Sequence, residues 1–118
     1  MTRRDLRGER KESGQPSEIG RSFERSEPVW IIQAVGSVGQ LVQRRVWLQV
    51  NGDIREDGNM DWMIWSVPEM ISNLSEYVES AAGDVFLSGT PSEVGPVSNG
   101  GRMKVSIEGL VSMSAEVV

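Results

Sequence analysis

Residues 102 to 107 and 111 to 117 alternate strictly between apolar and polar side chains, and that period of two leaves little room for anything but a pair of strands. Met103, Val105 and Ile107 are separated by Lys104 and Ser106; after Glu108-Gly109 the pattern resumes with Val111, Met113, Ala115 and Val117. An extended chain puts alternate residues on one face, so burying this set calls for a sheet. Arg44 to Asn51 repeats the pattern, with Val46, Leu48 and Val50 on one face and Trp47 and Gln49 on the other. Asn51-Gly52 follows, and both residues tolerate the positive φ of a type I′ turn, so Asp53 to Glu56 is expected to return as the second strand of a hairpin.

Between these strands the period changes to that of a helix. Ser66 as N-cap, Pro68 in the first turn and Glu69 at the third helical position form a capping box. Val67, Met70, Ile71, Leu74 and Val78 fall on one face, so a helix is expected from Val67 to about Ser80, lying on a sheet with Glu76 and Glu79 outward. Ala81-Ala82-Gly83 ends it, and Asp84 to Leu87 reads as a further strand. Met60, Trp62, Met63 and Trp65, just before the helix, are expected to pack into the core, with one face at a subunit contact.

The first 27 residues differ. Met1, Leu6, Ile19 and Phe23 are their only strongly apolar members, so this stretch needs another surface to pack on. It holds seven of the twelve basic residues together with six acids, which makes Arg3 to Glu12 a solvated helix of mixed sign rather than a basic clamp for nucleic acid. The whole chain carries a formal net charge of −5, against a general nucleic-acid or anionic-membrane partner. At 118 residues there is room for one core, and 38% hydrophobic content with four tryptophans argues against disorder. The apolar runs are too short to span a bilayer, and no signal peptide is evident. With no cysteine there is no disulfide framework, thiolate nucleophile or Cys-based zinc site, which is compatible with a cytoplasmic location.

Two stretches invite a site. Asp53, Glu56, Asp57 and Asp61 gather four carboxylates, but Arg55 stands where a calcium loop needs an oxygen ligand, so a polar hairpin return is the better reading. Ser88-Gly89-Thr90-Pro91-Ser92-Glu93-Val94-Gly95-Pro96-Val97 is more informative: glycine lets a ligand approach the main chain, proline removes conformational freedom, and hydroxyl and N–H groups suit an anion. A tight connection without a ligand would have the same composition.

Read with its neighbours, this loop resembles the signature of the fumarylacetoacetate hydrolase family. The matching residues are Gly83-Asp84-Val85-Phe86-Leu87-Ser88-Gly89-Thr90-Pro91 with Val94-Gly95, Val50-Asn51-Gly52 with Arg55 and Asp57-Gly58, Met63 to Glu69, and Ile107 to Leu110. Thr2 to Asp5, Gly14-Gln15-Pro16 and Ser22-Phe23 extend it upstream, and Gly95-Pro96-Val97 with Gly109 to Met113 points to the acylpyruvate hydrolase and oxaloacetate decarboxylase branch. The resemblance implies an α+β, β-rich fold: the C-terminal part of the family's mixed β-sheet roll, with one well-formed amphipathic helix, in which residues 1 to 118 form a single partial catalytic domain.

The same resemblance implies a substrate site without a metal site. Arg4 matches the arginine that pairs with a substrate carboxylate, Thr90 the loop threonine at the substrate, and Gly89 the residue that lets it approach; Arg21 stands where a lysine is usual. Arg7, Ser17 and Ser88 replace a usual glutamine, tryptophan and threonine. Family enzymes hold Mg²⁺ or Mn²⁺ with a Glu-x-Glu pair and an aspartate that would all precede Met1, and their His and Glu catalytic pair lies further upstream. The chain has no histidine, so neither a catalytic nor a metal-ligating residue is assigned, and no cofactor is expected for it alone. The implied complete enzyme is a homodimer acting on a small α-keto acid, with this chain its truncated, inactive C-terminal half. The alternative is a non-catalytic remnant or dimerisation partner domain.

Overall fold

The computed structural model describes residues 1–90 and 95–118; the loop positions Pro91, Ser92, Glu93 and Val94 lie outside the described residues. Two compact units form, residues 1–31 and 32–118, and each is described by itself.

In the first unit the mixed-charge segment is a helix, α1 (Arg4–Glu12), with Asp5 in its first turn and Arg10 and Lys11 in its last, the order that complements the helix dipole. Gly14 ends it in the left-handed region at φ 65°. There the N–H of Gln15 reaches the carbonyl of Arg10 at 2.9 Å and that of Gly14 the carbonyl of Lys11 at 3.2 Å, a Schellman closure. A 3₁₀ turn (Glu18–Gly20) packs back on α1 through the buried Gly20, where an added Cβ would stand 2.8 Å from the Cβ of Arg7.

After a short helix, α2 (Val35–Val38), the second unit is built on an antiparallel sheet of four strands, β1 (Arg45–Val50), β2 (Asp53–Asn59), β3 (Arg102–Ile107) and β4 (Met113–Glu116), in the order β2-β1-β3-β4. The α+β, β-rich class expected from the sequence is the one that forms, and every pairing among the described strands is antiparallel rather than mixed. Asn51 at φ 53° and Gly52 at φ 95° make the β1–β2 turn as expected. Asn51 also ties that turn to β3, its N–H donating to the carbonyl of Arg102 at 2.8 Å and its Oδ1 accepting the N–H of Arg102 at 2.9 Å.

The β2 strand outruns the expected Asp53 to Glu56 and contains a bulge. Leu48 pairs with Glu56 but Gln49 with Ile54, so Arg55 is the surplus residue. The registers then divide the faces. Val46, Leu48, Val50, Met103, Val105, Ile107, Met113 and Ala115 share one side with Glu56 and Gly58, while Arg45, Trp47, Gln49, Asp57, Lys104 and Ser106 share the other. On the polar side Ser106 is 2% exposed and its hydroxyl bonds that of Ser112 at 2.8 Å, closing the β3–β4 hairpin. On the apolar side Val50 is the one buried side chain among the described apolar residues, Gly58 is buried too, and the rest of the face is half-covered.

Three expectations are corrected. The helix α3 (Val67–Leu74) stops short of Ser80. Ser75 turns its hydroxyl onto the carbonyl of Ser72 at 2.7 Å, the N–H groups of Glu76 and Tyr77 bond three residues back, and Glu76 and Glu79 would oppose the dipole at a C-terminal end. Its apolar face is not laid on the sheet: Ile71 remains 44% exposed and Leu74 37%. Asp84 to Leu87 is not a strand. The Asp84 carboxylate accepts the N–H of Ala81 at 2.8 Å and closes a turn, and among the described residues nothing pairs with Val85-Phe86-Leu87, which stay exposed. The tryptophans before α3 are not core either: Trp62 and Trp65 are exposed and Ile64 is 97% exposed, while Met60 and Met63 are half-buried.

The capping box is formed as expected, with Glu69 Oε2 accepting both the N–H and the hydroxyl of Ser66 at 2.7 Å. These bonds, the hydroxyl's first, hold the Glu69 carboxyl below its ordinary range. Ser66→Ala should cost about 1 kcal/mol in chemical denaturation. A lowered folded-state value means a contribution fully present above the unfolded value and lost as pH falls through the folded one. Melting temperature should therefore drop on acidification through the carboxylate range, and drop less in Glu69→Gln, whose amide keeps the cap without titrating.

Candidate functional site

The expected substrate-binding residues fall in both units, Arg4 and Arg21 in the first, Gly89 and Thr90 in the second. In the first unit the N–H of Arg3 donates to the carbonyl of Gly20 at 2.8 Å, which brings the next residues along, Arg4 and Arg21, to one end of α1. Gly20 makes this approach possible, since a side chain there would strike Arg7. Arg4 and Arg21 are exposed and form no ion pair among the described residues, whereas Arg3 is engaged with Asp5 at 3.4 Å. Two guanidiniums without an ion pair, carried on neighbouring backbone, are of the type that suits a carboxylate or phosphate.

In the second unit the loop threonine meets a carboxylate. Thr90 Oγ1 lies 3.5 Å from Glu56 Oε2, the long limit for a hydroxyl–carboxylate bond, which a few tenths of an ångström of loop movement would shorten. Sequence reasoning had left Glu56 among the polar residues of a hairpin return; the missing signal was the bulge, which no local composition announces. Gly89 beside it is not required by the chain's own packing, for its φ is not positive and an added Cβ would meet open space. Its hydrogen-atom side chain leaves room for something approaching from outside. Pro91 and Val94 of the expected loop lie outside the described residues.

A second polar cluster lies on the opposite face of the sheet. Arg45 grips Asp57 with two bonds, Nε to Oδ1 at 2.9 Å and Nη2 to Oδ2 at 2.7 Å, while its guanidinium sits 5.0 Å from the centre of the Trp47 ring. The hydrogen bond from Arg45 holds the Asp57 carboxyl below its ordinary range. Every group in this cluster is satisfied by another, so it braces the β1–β2 hairpin.

A metal finds no donor set among the described residues. Among the described residues no three His, Cys, Asp or Glu side chains converge, and the four carboxylates from Asp53 to Asp61 are separated by the strand geometry. Glu56 turns to one face and Asp57 to the other. No helix of the described residues is long and apolar enough to cross a membrane.

Comparison with known proteins identifies the family of the chain. The model of the fumarylacetoacetate (FAA) hydrolase C-terminal family matches residues 1–118. The chain is 38% identical over 117 residues to human oxaloacetate tautomerase FAHD1, mitochondrial, covering 99% of this chain and 53% of that protein. It is 35% identical over 118 residues to fumarylpyruvate hydrolase of a Ralstonia species, covering 99% and 60%. The crystal structure of fumarylpyruvate hydrolase from Pseudomonas aeruginosa in complex with Mn²⁺ and pyruvate superposes with a TM-score of 0.93 at 42% identity, over 100% of this chain and 51% of that one. This chain thus spans a little over half the length of the relatives it matches.

Calorimetric titration with Mg²⁺ or Mn²⁺ should show only weak, non-stoichiometric binding to the 118 residues. One tight equivalent per chain would mean that the carboxylates converge after all.

Proposed function

The chain belongs to the fumarylacetoacetate hydrolase family, and we propose that it forms the substrate-binding part of a divalent-metal enzyme that cleaves, decarboxylates or tautomerises acylpyruvate or oxaloacetate-like β-dicarbonyl acids. The observation that carries this reading is the match along the whole chain to the Pseudomonas fumarylpyruvate hydrolase, whose structure holds Mn²⁺ and pyruvate. In this reading residues 1 to 118 are one partial catalytic domain. Arg4 and Arg21 supply cationic donors for a carboxylate, and Gly89 and Thr90 the surface against which the keto-acid end rests. The metal, Mn²⁺ or Mg²⁺, would polarise the substrate carbonyl when bound, and no cluster of three His, Cys, Asp or Glu among the described residues would hold it. What this chain contributes is binding and orientation. A homodimer and a cytoplasmic location complete the reading, although the human relative is named mitochondrial, and cell fractionation decides between the compartments.

The experiment joins this chain to the preceding half of a full-length relative and assays oxaloacetate tautomerisation and decarboxylation and fumarylpyruvate hydrolysis with Mn²⁺, beside the 118 residues alone. The joined protein should turn over at least one substrate and the chain alone none. In the joined protein Arg4→Ala and Thr90→Val should each lower kcat/KM by roughly 10- to 100-fold, the loss expected for charged and neutral hydrogen bonds to a buried ligand. Gly89→Ala should lower it too, while leaving stability unchanged or raising it by a few tenths of a kcal/mol. An inactive joined protein that is nonetheless folded, with the 118 residues a monodisperse, cooperatively melting monomer, would favour the non-catalytic alternative.

A further inference from the structure

Asn-Gly occurs twice in this chain, as Asn51-Gly52 and Asn99-Gly100. The dipeptide is chemically labile, because glycine has no side chain to shield its nitrogen from the amide carbon of the asparagine before it. The two pairs are held by different atoms. Asn51 is tied through side chain and backbone together: its Oδ1 accepts the N–H of Arg102 at 2.9 Å, and its own N–H donates to the carbonyl of Arg102 at 2.8 Å. It also stands at φ 53° in the turn closed by the Val50–Asp53 pair. Its amide carbon cannot swing toward Gly52 without breaking the end of the β1–β3 seam.

Asn99 has no such tie. It is exposed, and its side chain makes no hydrogen bond among the described residues. The turn that carries it is closed between its neighbours, from the N–H of Gly101 to the carbonyl of Ser98 at 2.9 Å. One bond engages the nitrogen that would react, from the Gly100 N–H to the carbonyl of Val117 at 2.7 Å. Val117 follows β4, an outer strand of four residues, and short outer pairings open more readily than a central seam.

We propose that Asn99-Gly100 is a site of spontaneous covalent modification, where an amide becomes an acid, and that the Arg102 N–H spares Asn51-Gly52 the same fate. Once Gly100 leaves the Val117 carbonyl, its nitrogen gives up its proton and bonds to Asn99 Cγ; the side-chain nitrogen departs as ammonia, and a five-membered succinimide remains. Water then adds to one ring carbonyl and that C–N bond breaks. Breakage at Cγ yields aspartate, and breakage at the main-chain carbon yields isoaspartate, whose backbone runs through Cβ and Cγ. One water is consumed and one ammonia released, with no oxidant or cofactor. Either product adds a negative charge, and isoaspartate also lengthens the chain just before β3.

The test is independent of the proposed activity. The 118-residue chain is kept in mildly alkaline buffer beside a sample in urea, and peptide mapping by mass spectrometry follows conversion at both asparagines. In urea the two should convert at similar rates, since only local sequence acts. In the folded chain Asn99 should convert roughly 10-fold faster than Asn51, as one site waits on an outer bond and the other on the seam. Arg102→Pro removes the N–H that holds Asn51, at the first position of β3 where proline is tolerated, and should raise conversion at Asn51 toward that at Asn99. Hydrogen exchange in the unaltered chain gives a reading that needs no variant: the Gly100 amide should exchange faster than that of Arg102. A ratio of conversion rates no greater in the folded chain than in urea overturns the proposal. So does a folded Arg102→Pro chain in which Asn51 converts no faster, or an Arg102 amide that exchanges as fast as that of Gly100.

Discussion

One residue more than the β1–β2 ladder needs decides what each face of this sheet can do. With Arg55 bulged, Asp57 falls beside Trp47 within reach of Arg45, and Glu56 falls on the aliphatic side within reach of Thr90. Without it the two carboxylates would exchange faces, since a phase shift of one residue turns every subsequent side chain over. The brace that holds the hairpin and the carboxylate beside the loop therefore come from the same irregularity. Its local position also explains why the expected return strand was too short: strict alternation fails at Arg55, although the ladder continues to Asn59.

Much of the fold was legible because local rules carry it. The strand alternation of residues 45–50, 102–107 and 113–116, the Asn51-Gly52 turn and the Ser66–Glu69 box are each fixed by residues within one turn or one pleat, and each forms. The misreadings share a cause, which is dependence on a distant surface. Val85-Phe86-Leu87 has strand composition but no partner among the described residues; Trp62, Trp65 and the face of α3 have core composition but little to cover them. Apolarity says that a residue wants burial, and only the rest of the structure says whether a surface is there to receive it. Of the candidate site, Thr90 and Gly89 were visible through family likeness, whereas the placement of Glu56 near Thr90 became visible only through a register.

The distribution of exposed apolar residues bears on the family assignment. Ile64, Val85 and Leu87 lie in segments whose sequences match the family signature, and the matched relatives are nearly twice as long as this chain. A large exposed apolar set on a sheet-forming protein marks surfaces meant for contact. Segments conforming to the family pattern are thus left uncovered among the described residues, whereas on the polar side of the sheet Arg45, Asp57 and Ser106 are satisfied internally.

The strand order also governs how the second unit can assemble. Both outer pairings are short hairpins, β1 with β2 and β3 with β4, but the central seam joins β1 to β3, and the bond between Asn51 and Arg102 that begins it spans 51 positions of chain. Hairpins close in microseconds, whereas a seam of this kind carries the entropy of ordering a long intervening loop before any contact rewards it. The two hairpins are thus the early, local products of folding, and their docking is the slow step that everything from residue 60 to 100 must wait for. Until they dock, the inner edges of β1 and β3 are unpaired templates open to any passing strand, which makes the rate of that one closure the quantity on which the chain's escape from aggregation turns.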